Sequence, residues 1–310
     1  MSYNAGILLR QREETENQPE KSAADKGLLN ISQYLSQAIV LEVCVSPKPG
    51  MVTRFSNGSH EDMSILTFAM SSAILIKAFH DLQKTGYSFV GPPEKLFPVA
   101  RAYGIKAERR LLQATKGVNT QRGILFSGGI LSAAAGYAAA RKKTRAYLLT
   151  VVRQMTAGLV QRELKGGKKE GGTFGEQLFR DYQVVGIRGE VEKGFPSVTE
   201  YGLPALKEAF ARGADLNDAL VHSLLSLMTV VEDSNVIWRT DLTTAQEVRD
   251  TAREILDEGS VFSTLGREKL SAAEKYFVSR RISPGGSADL LSITIALYLL
   301  ERGSFPVDIL

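Results

Sequence analysis

Residues Ile124 to Ala140 read Ile-Leu-Phe-Ser-Gly-Gly-Ile-Leu-Ser-Ala-Ala-Ala-Gly-Tyr-Ala-Ala-Ala, framed by Arg122 and Arg141. This is the most apolar window of the chain, yet its Gly, Ser and Ala content and its charged ends leave it short of a membrane span. Read as a helix over 122–140, it belongs to a pattern that is helical nearly throughout. The next segment, 144–164, puts Leu148, Val151, Val152, Met155 and Leu159 on one face. Upstream, 29–45 carries apolar residues at helical spacings until Pro47 and Pro49 end it, and a longer helix is expected over 60–80. Downstream, helices are expected at 176–185, 204–211, 215–231, 243–257 and 287–300. No segment alternates with period two, and Asn57-Gly58 lies in a loop between helical patterns. The expected fold is therefore all-α: a single multi-helix domain over 29–310 with a loop-built phosphate and metal site, after a polar, weakly ordered tail at 1–28. Gly166 to Gly175, with five glycines and two lysines, reads as the most flexible internal stretch.

A chain of 310 residues can bury a substantial core. Its 44% hydrophobic and 23% charged residues exclude a largely disordered chain, a collagen-like repeat and a disulfide scaffold. Thirty-eight Lys and Arg against 34 Asp and Glu leave a formal net charge of +4. That excess is too small to compel nucleic-acid binding, but it suits a phosphate-rich ligand. The lone cysteine, Cys44, can form neither an intramolecular disulfide nor a multi-cysteine metal site. Gly6 to Leu9 is too short for a signal core and the residues after it are polar. The expected location is the cytoplasm, with neither a membrane nor a nucleic acid as partner.

Five segments gather small, amide, carboxylate and guanidinium residues between the apolar helices. In Ser46-Pro-Lys-Pro-Gly-Met-Val-Thr-Arg54, two prolines stiffen the backbone while Lys48 and Arg54 can meet phosphates. Beside it stand His60, a candidate acid or ligand, and Asp62, either a functional carboxylate or the far end of a capping box begun by Ser59. In the second segment Asn119 or Thr120 can cap the next helix, whose free N–H groups favour anions. In the third, after Glu176, Arg188 can fork onto phosphate and Glu190 can bind a metal or accept a proton. A surface turn held by Arg188 and Glu190 accounts for the same residues without a ligand. The fourth, Glu232-Asp-Ser-Asn-Val-Ile-Trp-Arg239, follows an apolar run. If a helix ended there, two acids would face its negative end at about 0.3–1 kcal/mol each. A bound cation would remove the conflict, and so would continuation of the helix with Asn235 and Arg239 on one face. The fifth, Ser283-Pro-Gly-Gly-Ser-Ala-Asp289, offers Ser287 as an N-cap and the amides of Gly285 and Gly286 to an anion. Asp289 would repel a bare phosphate but accept one bridged through Mg2+. Neither a P-loop nor a dinucleotide-binding glycine fingerprint occurs.

Taken together, Pro47-Lys-Pro-Gly50 with Gly58-Ser-His-Glu-Asp-Met63, Gly117-Val-Asn-Thr120, Arg188-Gly-Glu190 with Gly194-Phe-Pro-Ser-Val198, Asp233-Ser-Asn235 and the run Ser283 to Leu291 resemble the triphosphoribosyl-dephospho-CoA synthase family. The motifs occur in the same order from about Leu29 to Leu300. The resemblance implies an all-α transferase with ATP and 3′-dephospho-CoA as substrates. ATP loses adenine at ribose C1′, and the ribosyl triphosphate joins the 2′-hydroxyl of 3′-dephospho-CoA. The product is the prosthetic-group precursor for the acyl carrier protein of citrate lyase or malonate decarboxylase, which links the enzyme to that protein and to its prosthetic-group transferase. Such chemistry asks for a donor to the leaving adenine, a carboxylate base, and negative charge near an oxocarbenium-like centre.

Matched to the motifs, Asp62, Glu190, Asp233 and His60 are the catalytic candidates. Lys48, Asn119, Thr120, Arg188, Asn235, Arg239, Gly285, Gly286 and Ser287 are the nucleotide-binding ones. Glu176, Glu190, Asp233 and Asp289 are the expected Mg2+ ligands. Many relatives carry Asp, Gly, His-Lys, Thr and Gly-Gly where this chain has Thr53, Lys116, Gln121-Arg122, Ser234 and Thr240-Asp241. Two alternatives stay open: an all-α Mg2+-dependent nucleotide hydrolase and a non-catalytic nucleotide- or RNA-binding protein. A homo-oligomer is also left open.

Overall fold

The computed structural model describes residues 27–165 and 174–308, which are helical with no strand among them. The flexible stretch expected from Gly166 lies mostly outside the described residues, as does the expected tail except for Gly27 and Leu28. Those two begin a helical turn, and Leu28 is fully buried.

Two helices are enclosed on every side. In α4 (Arg122–Ala140) every residue from Ser127 to Ala139 is buried, and in α13 (Gly285–Arg302) every residue from Leu290 to Leu300. A helix apolar all round is stable only inside. The two touch each other, and α1 (Ile31–Cys44), α2 (Ile65–Ser88) and α3 (Leu96–Ala114) pack around them. On the far side lie α5 (Leu148–Thr156), α6 (Phe174–Tyr182), α7 (Gly186–Lys193) and α8 (Leu203–Ala211). The remaining helices are α9 (Leu216–Met228), α10 (Ser234–Arg239), α11 (Leu242–Asp257) and α12 (Thr264–Ser279). By length and composition α2 and α4 could cross a membrane, but α4 is walled in by its neighbours.

Small residues set the spacing of the centre. A Cβ added to Gly86 of α2 would fall 1.9 Å from the Ala133 carbonyl oxygen of α4, and one on Gly136 would fall 2.0 Å from that of Gln83. Such approach is open only to glycine. Side-chain caps start several outer helices: Asp215 accepts from Asp218 N–H at 2.8 Å, and Asp241 accepts from Thr244 N–H at 2.7 Å.

The helices differ from the sequence expectation in identifiable ways. Neither α3 nor α12 is evident from the sequence, because few residues of each are buried: Leu96, Phe97, Ala100, Ala107 and Leu111 in one, Gly266, Leu270, Ala273 and Phe277 in the other. The helix expected from His60 starts at Ile65, where Ser64 and Thr67 form the capping box. Ser59 instead donates its hydroxyl to the Ile282 carbonyl at 2.6 Å, so Asp62 caps nothing. The segment 144–164 breaks at Gly158, whose φ is 74°, and the chain restarts with Glu192 accepting from the N–H groups of Gly158 and Val160 at 2.6 and 2.9 Å. Residues 186–193, expected as a loop, form α7.

Gly86→Ala should lower unfolding free energy by about 1–3 kcal/mol through overpacking. Gly104→Ala on α3, where a Cβ meets nothing within 4 Å, should instead stabilise by about 0.5–1 kcal/mol. Urea denaturation of both variants checks the contrast.

Candidate active site

Asp233 lies at the junction of two helix starts. Its Oδ1 accepts from the N–H groups of Asn235 and Val236 at 3.1 and 3.4 Å, capping α10. Its Oδ2 accepts from Ser287 N–H at 2.9 Å and the Ser287 hydroxyl at 3.2 Å, in the first turn of α13. Three sequence readings change here. No helix ends on Asp233, because α9 stops at Met228 and α10 begins at Ser234. Ser287 is not the N-cap of the last helix, which starts at Gly285. The anion held by the Gly285-Gly286 turn is the protein's own carboxylate, and a Cβ on Gly286 would sit 3.1 Å from it. Burial raises the Asp233 carboxyl above its usual range, while the surrounding backbone N–H groups oppose the rise.

The N-terminus of α4 holds the second aspartate. Asp289 accepts the Ile124 N–H, and Gly123 makes room for it, since a Cβ there would fall 1.9 Å from Oδ2. Part of Asp289 opens into a cavity, but the recess is deep: burial drives its carboxyl well above the ordinary range, and the charges of Glu42 and Asp233 drive it further. Glu42, near the end of α1, is itself buried and ion-paired with Lys48. The Lys48 ammonium also donates to the Glu42 carbonyl at 2.7 Å. Lys48 was expected on a phosphate. At 1% exposure it is an internal cation committed to Glu42.

His60 stands between two donors and acceptors. Its Nδ1 lies 3.3 Å from the Arg239 guanidinium and its Nε2 lies 2.8 Å from the Ser283 hydroxyl. A guanidinium can only donate, so Nδ1 accepts and the ring proton resides on Nε2. Burial, then Arg239, lowers the imidazole pKa and keeps the ring neutral at pH 7, against Asp62 at 3.7 Å.

A basic wall completes the site. Glu163 takes the Nε of Arg188 at 3.0 Å on one oxygen and pairs with Arg101 through the other. Nearby, the Glu190 carboxylate accepts the Ser197 hydroxyl at 2.6 Å and the Ser197 N–H at 3.2 Å, and burial raises its pKa. The acid floor and this basic wall face one cavity of about 630 Å³.

The model of the ATP:dephospho-CoA triphosphoribosyl transferase family matches residues 29–305. The chain belongs to this family. A probable 2-(5″-triphosphoribosyl)-3′-dephosphocoenzyme-A synthase of Malonomonas rubra is 44% identical over 287 residues, covering 90% of each chain. The synthase of Pectobacterium atrosepticum is 38% identical over 275 residues, 88% of this chain and 89% of its own. A probable synthase of Streptococcus pyogenes is 36% identical over 290 residues, 89% of this chain and 98% of its own. No solved structure matches the chain.

Of the family's motif positions, His60, Asn119, Thr120, Arg188, Glu190, Asn235, Arg239, Gly285, Gly286 and Asp289 line the cavity together with Lys48. The Thr120 hydroxyl oxygen there is buried without a partner. Asp62 does not line it; its side chain is 56% exposed at the rim beside His60. Asp233 and Ser287 lie behind the lining, and Glu176 stands off it, close enough for its charge to act on Arg101 and Arg188. Among the described residues, no three His, Cys, Asp or Glu side chains gather as a ligand set. Sequence reading missed Glu42, Arg101 and Glu163. Glu42 had a signal, since an acid at the 3–4 spacing of Leu35, Ala38 and Ile39 sits on the buried face of α1. Of the departures, Gln121 and Arg122 line the cavity; Gln121 is buried and accepts from Ser72 at 3.4 Å, while Lys116 takes a φ of 54°, where glycine is freer.

Asp233→Asn should cost about 1–3 kcal/mol of stability, because an amide nitrogen facing Ser287 cannot accept its N–H; equilibrium unfolding reads this directly. For Asp289 the native pKa lies above the unfolded one, so the folded state binds more protons and its stability falls as pH rises through that interval. Asp289→Asn removes the effect. In Mg2+-free buffer the variant should gain on wild type as pH climbs from about 4, by no more than about 1.4 kcal/mol per pH unit, measured by urea unfolding at successive pH values.

Proposed function

We propose that this protein transfers the 5-triphosphoribosyl group of ATP to the 2′-hydroxyl of 3′-dephospho-CoA and releases adenine. The observation that carries the reading is a single cavity with an arginine wall at one side and a carboxylate and amide floor at the other, both built from the family's motif residues and their neighbours. In the reaction the C1′–N9 bond of ATP breaks and a bond from C1′ to the acceptor oxygen forms. The acceptor hydroxyl loses a proton, and adenine takes one. Glu190 serves as the base, since burial raises its affinity for a proton. His60 gives its Nε2 proton to the Ser283 hydroxyl, and that hydroxyl in turn donates to the leaving base. Asp233 acts through position, by fixing Asn235 and the Gly285-Gly286 turn.

Mg2+ enters as the companion of the triphosphate. The charges of Glu42 and Asp233 both act on Asp289, while Lys48 is ion-paired with Glu42, so a cation at Asp289 would relieve that repulsion. Asp289 would hold the ion, which would neutralise phosphate charge. Glu176 and Asp233 do not line the cavity and would not reach the ion, and Glu190 serves proton transfer instead. The enzyme so proposed works in the cytoplasm. Its product serves the acyl carrier protein of citrate lyase or malonate decarboxylase.

Incubation with ATP and Mg2+, with and without dephospho-CoA, tests the assignment. Adenine should appear only with the acceptor, alongside a product whose mass equals dephospho-CoA plus the triphosphoribosyl group. Release of ADP or phosphate would favour a hydrolase instead.

A further inference from the structure

Arg101 belongs to no motif of the sequence analysis, yet it meets Arg188 across a shared carboxylate. The two guanidiniums come from α3 and α7, and Glu163 gives one oxygen to each. All three line the cavity. The Glu163 side chain is 13% exposed, and that of Arg188 21%. Burial lowers the pKa of both arginines, and the Arg188 charge adds to the effect on Arg101. Two like charges are therefore held side by side, with Glu163 between them. Glu176 also acts on both, and Glu108, tied to Arg122 at 2.6 Å, acts on Arg101. Room for the Arg188 fork comes from Gly175, where a Cβ would fall 2.7 Å from NH1.

A guanidinium carries five N–H donors in a fixed plane, and the Glu163 contacts use the Nε of Arg188 and NH1 of Arg101. The carboxylate thus sets the planes of both groups. Planar forks match phosphate oxygens in pairs. Without a metal ion the acids Glu42 and Asp289 repel a polyphosphate, whereas the paired guanidiniums of Arg101 and Arg188, in the same cavity, attract one.

We propose that Arg101 and Arg188 form a polyphosphate clamp, with Glu163 as the positioning residue that aligns the two guanidiniums. The clamp rests on the proposed function for its natural ligand, the triphosphate of ATP.

Calorimetric titration with inorganic tripolyphosphate tests the clamp apart from the reaction. Arg101→Ala should weaken binding by about 10- to 100-fold, the range for a lost charged hydrogen bond. The Arg101 side chain is 44% exposed, so the variant should melt like wild type. Arg101→Lys should recover only part of the loss, because it restores charge without the fork. Glu163→Gln should also weaken binding, and should raise KM for ATP more than it lowers kcat. Lys207→Ala, which removes a charge on α8 that pairs with Glu301 away from the cavity, should leave tripolyphosphate affinity unchanged. Wild-type affinity in Arg101→Ala would overturn the clamp, and tighter binding in Glu163→Gln would overturn the positioning role. Tripolyphosphate binding that depends on Arg101 in a protein releasing no adenine would leave the clamp standing and remove the proposed reaction.

Discussion

The carboxylate of Asp233 joins two helix starts that are more than fifty residues apart in sequence, and the site is arranged around that join. Each helix begins with backbone N–H groups that no residue of the helix can satisfy. One oxygen of Asp233 satisfies α10 and the other satisfies α13. A carboxylate suits the task because it accepts at both oxygens and carries the charge that a helix N-terminus favours. From this join follow the positions of Asn235, Arg239 and the Gly285-Gly286 turn, all of which line the cavity.

The same device recurs at the other central helix. Asp289, carried by α13, reaches the N-terminus of α4 at Ile124. Each of the two enclosed helices therefore has its positive end occupied by an aspartate from elsewhere in the chain, and both ends open toward one cavity. The arrangement concentrates negative charge with Glu42, and Lys48 is the counterion buried with it. Removing one partner of such a buried pair costs about 3–5 kcal/mol, which explains why Lys48 serves the scaffold of the floor before any ligand. Arg101 and Arg188, on the other wall, face the cavity and can meet a ligand.

Much of the fold is legible in the sequence because long helices repeat apolar residues at a fixed spacing. The all-α class, the buried helix at 122–140 and most helix positions follow from that repeat. Helices α3 and α12 escape notice because few of their residues are buried, and α7 because its glycines and charged residues read as a loop. The motif segments are legible as polar residues between helices, and ten of their candidate residues, with Lys48, do line one cavity. Their tasks are less legible. Lys48 and a surface lysine look the same in sequence, as do Asp233 and a solvent-facing acid.

Local sequence determines what each short stretch can do: helical spacing, a capping residue, a glycine that permits close approach, a carboxylate or guanidinium able to meet charge. These properties depend on neighbours within a few residues, so the sequence alone settles the helical class and the inventory of reactive groups. Partners remote along the chain are decided only when the helices pack. Packing gave Asp233 the amide of Ser287, gave Lys48 to Glu42, and brought Arg101 and Arg188 onto Glu163. A side chain's charge, burial and role depend on those distant contacts, because hydrogen bonding and desolvation act over a few ångströms of space and take no account of distance along the chain.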